Sequence, residues 1–231
     1  MTELLDIGRI LSVWLLPIVT AITLHEAAHA WMAERLGDDT ARRLGRVSFN
    51  PLRHVDPVGT LVVPGLLLLL KAPFLFGWAK PVPVAFHRLN HPKRDMIWVA
   101  LAGPGINMLL ALAAGLLMHV SVNLPGLAAL WLTENLRNAI IANVVLAAFN
   151  MLPLLPLDGG RVLTGLLPMP LARRYARTER YGMLVLILIL FLLPLLAREL
   201  GVAFNPVAMV LLPVVAWLVE LVGILTGWRL S

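Results

Sequence analysis

Five runs of about twenty apolar residues dominate this chain, at roughly 8–34, 95–119, 138–157, 181–197 and 206–227, each rich in Leu, Ala, Val and Ile. A helix of that length crosses a hydrocarbon core of about 30 Å. In lipid it must also satisfy its own backbone polar groups, which restricts the fold to helices or a closed barrel. Apolar residues make up 59% of the 231 and charged residues only 14%, and the mean hydropathy is +0.84, outside the balance of a soluble domain. The expected fold is an all-α polytopic membrane protein of about five transmembrane helices, with a small β or re-entrant element between the first two. Residues 1–231 are expected to form one membrane-embedded domain. The first run begins near Leu4 with Glu3 and Asp6 in place of a basic leader and passes His25 without a small-residue cleavage site. It is expected to be a retained helix and not a signal peptide.

The region between the first two runs is basic at Arg42, Arg43, Arg46 and Arg53 and then apolar from Val58 to Leu70. That stretch contains Gly59, Pro64 and Gly65 and is short for a span, so a re-entrant or interfacial element is expected. Loop charge agrees. The connections Arg35–Arg94 and Arg161–Arg180 are strongly basic, whereas His119–Asn138 carries only Arg137. Basic loops favour the cytoplasmic side, and two on one side need an even number of crossings between them. This predicts an outside N-terminus, both basic loops in the cytoplasm and the tail Trp228–Ser231 also inside. Gly77-Trp-Ala-Lys-Pro-Val-Pro-Val84 alternates and predicts a short strand, confined to a sheet edge by Pro81 and Pro83. It is expected either to blunt that edge against aggregation or to hold substrate.

His25-Glu26-Ala27-Ala28-His29 falls inside the first run. Residues four apart on a helix share a face, so both imidazoles reach one zinc ion with Glu26 beside them as general base. Zinc brings the pKa of bound water toward neutrality, and Glu26 would take that proton and pass it to the leaving amine. Two His and a Glu in an apolar span are functional by default. The chain has no cysteine, so a third ligand must be His or an acid. Asp158 stands out at the end of Asn150-Met-Leu-Pro-Leu-Leu-Pro-Leu-Asp-Gly-Gly160, where Pro153 and Pro156 interrupt a helix and Gly159 and Gly160 allow close approach. An Asp in an interfacial turn has the same local appearance. The predicted topology places His25, His29 and Asp158 at comparable depth toward the cytoplasmic side.

The pairing of His-Glu-x-x-His in an early span with Asn-x-x-Pro-x-x-Pro-Leu-Asp-Gly in a later one resembles the site-2 protease family of intramembrane zinc metalloproteases. Phe49-Asn-Pro-Leu-Arg-His-Val-Asp-Pro-Val-Gly-Thr60, Gly77–Val84 and Ala102-Gly-Pro-Gly-Ile-Asn107 match as well and in order, over residues 20–165. The resemblance implies a zinc metalloendopeptidase with one Zn2+ per chain held by His25, His29 and Asp158, and Glu26 as base. It implies a core of three spans within about 8–165, with 181–227 additional. Asn150 would face the site and hold substrate backbone or the oxyanion, and Asn107 is a second substrate-binding candidate. Asn107 and a Gly103-Pro104-Gly105 turn would help close the spans. The implied partners are the lipid bilayer and a transmembrane protein whose helix unwinds locally before cleavage. The implied location is a prokaryotic cell membrane, multi-pass, with the site toward the cytoplasm. Beside larger relatives of that family, the sequence is expected to have no inserted PDZ module, no appended CBS pair and no extra leading helix.

Other polar residues read as less specialised. His54 is either a partner behind the ligands or a loop histidine. His87, His91 and His119 read as interfacial, and Glu220 as an intramembrane acid that snorkels or pairs with Arg229. Arg173, Arg174, Arg177 and Arg180 would anchor the inner face, and Trp78, Trp98, Trp131 and Trp228 would sit in interfacial belts. The net charge of +6 resides in loops, which favours orientation over nucleic-acid binding. Two rival functions remain: a metal-handling transporter, against which the absence of matched inverted repeats counts, and an inactive helix-binding relative, against which Glu26 counts.

Overall fold

The computed structural model describes residues 2–69, 79–202 and 204–228. Every regular element among them is helical, and two long helices start where proline fits the first turn. In chain order these are α1 (Thr2–Arg35), α2 (Thr40–Arg43), α3 (Val63–Leu69), α4 (Pro92–Ser121), α5 (Gly126–Asn150), α6 (Asp158–Leu166), α7 (Met169–Ala176), α8 (Glu179–Ile187), α9 (Leu193–Glu199) and α10 (Pro206–Thr226). A π-helical turn joins α8 to α9 and another, Pro57–Val62, leads into α3. Asn205 caps α10 by accepting from the Ala208 amide, and Gly227 ends it in the left-handed region at φ 72°, where glycine is at ease.

Three helices form the core. α1 and α5 run parallel, since Arg9 meets Glu134 near their starts and Val13 meets Asn138 farther along. α4 runs opposite to both, with Val99 beside His29 and Asn107 beside Ala21. Pro17 cannot supply the amide that Val13 carbonyl would accept within α1, and Asn138 Nδ2 donates to it instead at 3.0 Å. A carbonyl freed by proline thus finds its partner on a neighbouring helix, as apolar surroundings require. Ala111, Ala114 and Met118 of α4 pack on Leu136, Ile140 and Val144 of α5 and Val222 of α10. Large apolar side chains cover the outside, among them Leu15, Leu116, Leu184 and Trp217, an arrangement suited to lipid.

Among the described residues, four helices are long and apolar enough to cross a membrane: Gly8–Arg35, Pro92–Ser121, Glu179–Glu199 and Pro206–Thr226. α5 is not among them, although the sequence predicts a span over 138–157. Its helix begins twelve residues earlier, within the expected His119–Asn138 connection, and ends at Asn150. Asn135, Asn138 and Asn143, with Glu134 and Arg137, lower its hydropathy, and the three asparagines are buried.

The region between α1 and α4 also departs from expectation. Pro57–Leu69 is helical throughout and about 20 Å long, short of a span; Leu70 lies outside the described residues. The predicted strand does not form over 79–84, and its first two residues, Gly77 and Trp78, lie outside the described ones. The prolines remove two amides, and the Val82 amide goes to a side chain, so no ladder develops.

The C-terminal end of α10 lies at the far end of α4. Thr226 packs on Gly115, its carbonyl accepts from His119 Nε2 at 2.8 Å, and Trp228 stands edge-on to the His119 ring. Trp228 therefore lies at the His119 end of α4, away from the start of that helix, and residues 229–231 of the expected inside tail lie outside the described ones. α8 starts beside Leu155 just after the end of α5, so the start of α8 and the end of α10 lie at opposite ends of the bundle. Counting apolar runs cannot reveal this.

Candidate metal centre

Helix geometry places His25 and His29 on the inner face of α1, where both are buried. Asp158 opens α6, at the helix end whose free amides favour a carboxylate. The residues between α5 and α6 fold back tightly: a Cβ on Gly159 would lie 2.2 Å from Met151 carbonyl, and one on Gly160 would lie 2.6 Å from Leu155 amide. Glycine is required at both positions to bring Asp158 beneath α1.

The three side chains converge. His25 Nε2 and His29 Nε2 each lie 3.2 Å from Asp158 Oδ2 and 3.0 Å from one another. Room for the imidazoles comes from α4, where a Cβ on Gly103 would stand 2.4 Å from His29 Nε2 and 2.6 Å from His25 Cε1. Gly103, Pro104 and Gly105 lie inside α4, not in the expected turn.

The proton positions follow from the groups behind the rings. Ala139 carbonyl can only accept, so the Asn143 atom 2.8 Å from it is Nδ2, which turns Asn143 Oδ1 toward Asn107. Asn107 Nδ2 donates to that oxygen at 2.7 Å and to Ala21 carbonyl at 3.2 Å. Asn107 Oδ1 therefore faces His25 Nδ1 at 2.6 Å, and Nδ1 carries the proton. His29 Nδ1 likewise donates to Val99 carbonyl at 2.7 Å. Both Nε2 atoms are left as bare lone pairs, pointed at each other and at a carboxylate. Asp158 Oδ2 is buried without a hydrogen-bond donor. Two lone pairs and an oxygen in mutual contact repel unless a cation lies among them. The donor set of two imidazoles and one carboxylate suits zinc with a position left open.

The open side faces a cavity of about 670 Å3. Glu26, His54, Asn150 and Arg161 give it polar character, and Ile18, Ile22, Leu146, Phe149, Met183 and Leu186 make the rest apolar. Glu26 Oε2 accepts from Val82 amide at 2.8 Å. Asn150 donates to Leu146 carbonyl, which leaves its carbonyl oxygen and second amide hydrogen for the cavity. Asn107 is fully buried and does not line the cavity; the structure places it behind His25. His54 Nε2 donates to Ser48 carbonyl at 2.9 Å, so His54 joins the cavity wall but not the ligand cluster. Glu220 is exposed on α10, and Arg229 lies outside the described residues.

Three residues of this arrangement were given no role at the site by sequence: Asn143, Val82, and Arg46, which donates to the carbonyls of Lys80 and Pro81 beside Val82. Asn143 had a signal, since a buried amide within an apolar helix calls for a partner. The other two act through contacts between segments distant in sequence.

The profile of peptidase family M50 matches residues 125–193. Over 190 residues the chain is 36% identical to the "Putative zinc metalloprotease YwhC" of Bacillus subtilis, covering 77% of this chain and 79% of that one. It is 32% identical over 211 residues to the "Putative zinc metalloprotease Rip2" of Mycobacterium tuberculosis, covering 89% and 72%. A Rip2 of Mycolicibacterium smegmatis is 28% identical over 170 residues. No solved structure matches the chain. A third of the residues shared across most of both chains, joined to a helix-borne His pair with an Asp brought beneath it, makes this chain a member of peptidase family M50.

Proposed function

We propose that this chain is a site-2-type intramembrane zinc metalloprotease that hydrolyses a peptide bond of a transmembrane protein. The observation that carries the reading is the pair of unprotonated Nε2 atoms facing Asp158 Oδ2, with Glu26 beside them on the same cavity.

In this reading His25, His29 and Asp158 hold one zinc ion, which would polarise the scissile carbonyl and acidify a water molecule. Glu26 receives the proton of the attacking water on its carboxylate and delivers it to the nitrogen of the leaving amine. Asn150 presents its free amide hydrogen or carbonyl oxygen to substrate backbone or developing oxyanion. Asn107 holds the His25 tautomer. The apolar part of the cavity receives substrate residues from within the bilayer, and Glu26, His54 and Arg161 border its polar part. A segment entering such a cleft must be extended, because an intact helix keeps its carbonyls in internal bonds.

α5, packed between α1 and α4 over 25 residues and about 38 Å long, acts as a further span. The whole chain then works as one membrane-embedded domain in a prokaryotic cell membrane, with the site toward the cytoplasm, where the basic residues flanking it are favoured.

The test is zinc content of the detergent-purified protein beside cleavage of a transmembrane substrate. Wild type should hold about one zinc per chain, Asp158→Ala should lose it, and Glu26→Gln should keep it while cleavage stops. Full cleavage by Glu26→Gln would refute the mechanism, and zinc flux into liposomes without cleavage would favour a transporter.

A further inference from the structure

The residues that approach Glu26 from outside the ligand cluster form a strap, 79–85, three of whose backbone amides have partners outside it. Lys80 amide donates to His54 carbonyl at 2.9 Å, Val82 amide to Glu26 Oε2 at 2.8 Å and Ala85 amide to Asp38 Oδ2 at 2.6 Å. Pro81 and Pro83 have no amide to offer. Each also biases the residue before it toward extended backbone, so Lys80 and Val82 lose little freedom when the strap is laid down. Buried Arg46 holds it from the other side, donating to the carbonyls of Lys80, Pro81 and Arg53, and lies within electrostatic reach of Glu26. The sequence Pro-Val-Pro thus delivers a single donor, flanked by two positions that cannot compete with it, to one oxygen of the carboxylate beside the metal ligands.

We infer that the Pro81–Val82–Pro83 strap, clamped by Arg46, positions Glu26 for catalysis through the Val82 amide. This rests on the proposed hydrolytic role of Glu26. A free glutamate on a helix samples several rotamers, and only some present an oxygen to a water at the ligands. Tying Oε2 to a backbone amide selects one and leaves Oε1 for the proton. Val82 is therefore a positioning residue and does not touch the reacting atoms. The strap forms a wall of the cavity, which stays open beside it, and this separates positioning from obstruction.

Two measurements on the full chain in detergent test the inference. The first is amide hydrogen exchange of residues 79–85 in wild type and Glu26→Ala, which needs no substrate. Exchange at Val82 should accelerate at least tenfold in the variant while Lys80, held by His54, keeps its protection. Equal protection at Val82 in both proteins would overturn the inference. The second compares Val82→Pro, which deletes the amide, with Val82→Ala, which keeps it. Val82→Pro should retain zinc and have kcat on the order of tenfold to a hundredfold below Val82→Ala, the range for one hydrogen bond to a charged group, with KM within about twofold. A rise in kcat would make the strap inhibitory, a loss of zinc would make it a support of the ligands, and a change confined to KM would make it a substrate contact; each overturns the inference. If the wild type binds zinc yet cleaves nothing, the hydrolytic reading fails while the exchange measurement still decides whether the Val82 bond exists.

Discussion

Asn143 Oδ1 lies 2.7 Å from Asn107 Nδ2, and through that contact a residue on α5 decides which nitrogen of His25 on α1 carries the proton. Replacing Asn143 with Leu removes the acceptor and frees the Asn107 amide to turn. Zinc affinity should fall about 10- to 100-fold, the usual effect of losing a group that orients a ligand. A competition titration against a chelator measures it, and an unchanged affinity would mean that the tautomer is set elsewhere.

Gly103 and Gly105 make a matched pair. A methyl group at 103 would collide with both imidazoles, whereas nothing lies within 4 Å of a Cβ on Gly105. Gly103→Ala should abolish zinc binding and cleavage together. Gly105→Ala should keep both, with thermal unfolding unchanged or slightly raised, since alanine suits a helix better than glycine. Equal behaviour of the two variants would contradict the packing described.

Acid should loosen the strap before the bundle. Burial raises the Asp38 pKa, but donation by Thr40 and by the Ala85 amide, with the Arg88 charge nearby, more than offsets it and holds it below the ordinary 3.8. A depressed pKa contributes stability that is complete above the unfolded value and lost as pH falls through the folded one. Protection of the Ala85 amide should therefore be constant from neutrality to about pH 4 and drop below it, and Asp38→Ala should remove it at every pH, at a cost of about 2 kcal/mol.

With no native cysteine, single-cysteine variants report sidedness cleanly. Arg42→Cys and Trp228→Cys should react with an impermeant thiol reagent from opposite faces of sealed vesicles, because Trp228 lies at the His119 end of α4 and Arg42 follows the His29 end of α1. Labelling from one face would restore the even number of crossings.

The convergence of His25, His29 and Asp158 was readable in part because its geometry is local: four-residue spacing puts His25 and His29 on one face, while Asp158, which locally could equally be a turn residue, was picked out by predicted depth and by the family motif that carries it. The amide relay was not, since 143, 107 and 25 are related only by how three helices pack. The extent of α5 was hidden for a related reason: Asn135, Asn138 and Asn143 interrupt its apolar pattern, and only the structure shows that they are buried, with their amides bonded to backbone carbonyls and Asn143 Oδ1 accepting from Asn107. The missing strand has the same origin. Alternation at 77–84 signals extended backbone but cannot say whether its amides meet a strand or a side chain.

The bond from Asn138 to the carbonyl that Pro17 leaves free has a mechanical meaning. It pins α1 to α5 partway along their length, and Arg9 with Glu134 pins them again near their starts. One helix carries the histidines and the other leads into Asp158, so the two arms of the clasp belong to a single stiff frame. Met183 and Leu186 of α8 line the cavity from outside that frame, so a movement of α8 would widen the cleft without changing the spacing of His25, His29 and Asp158.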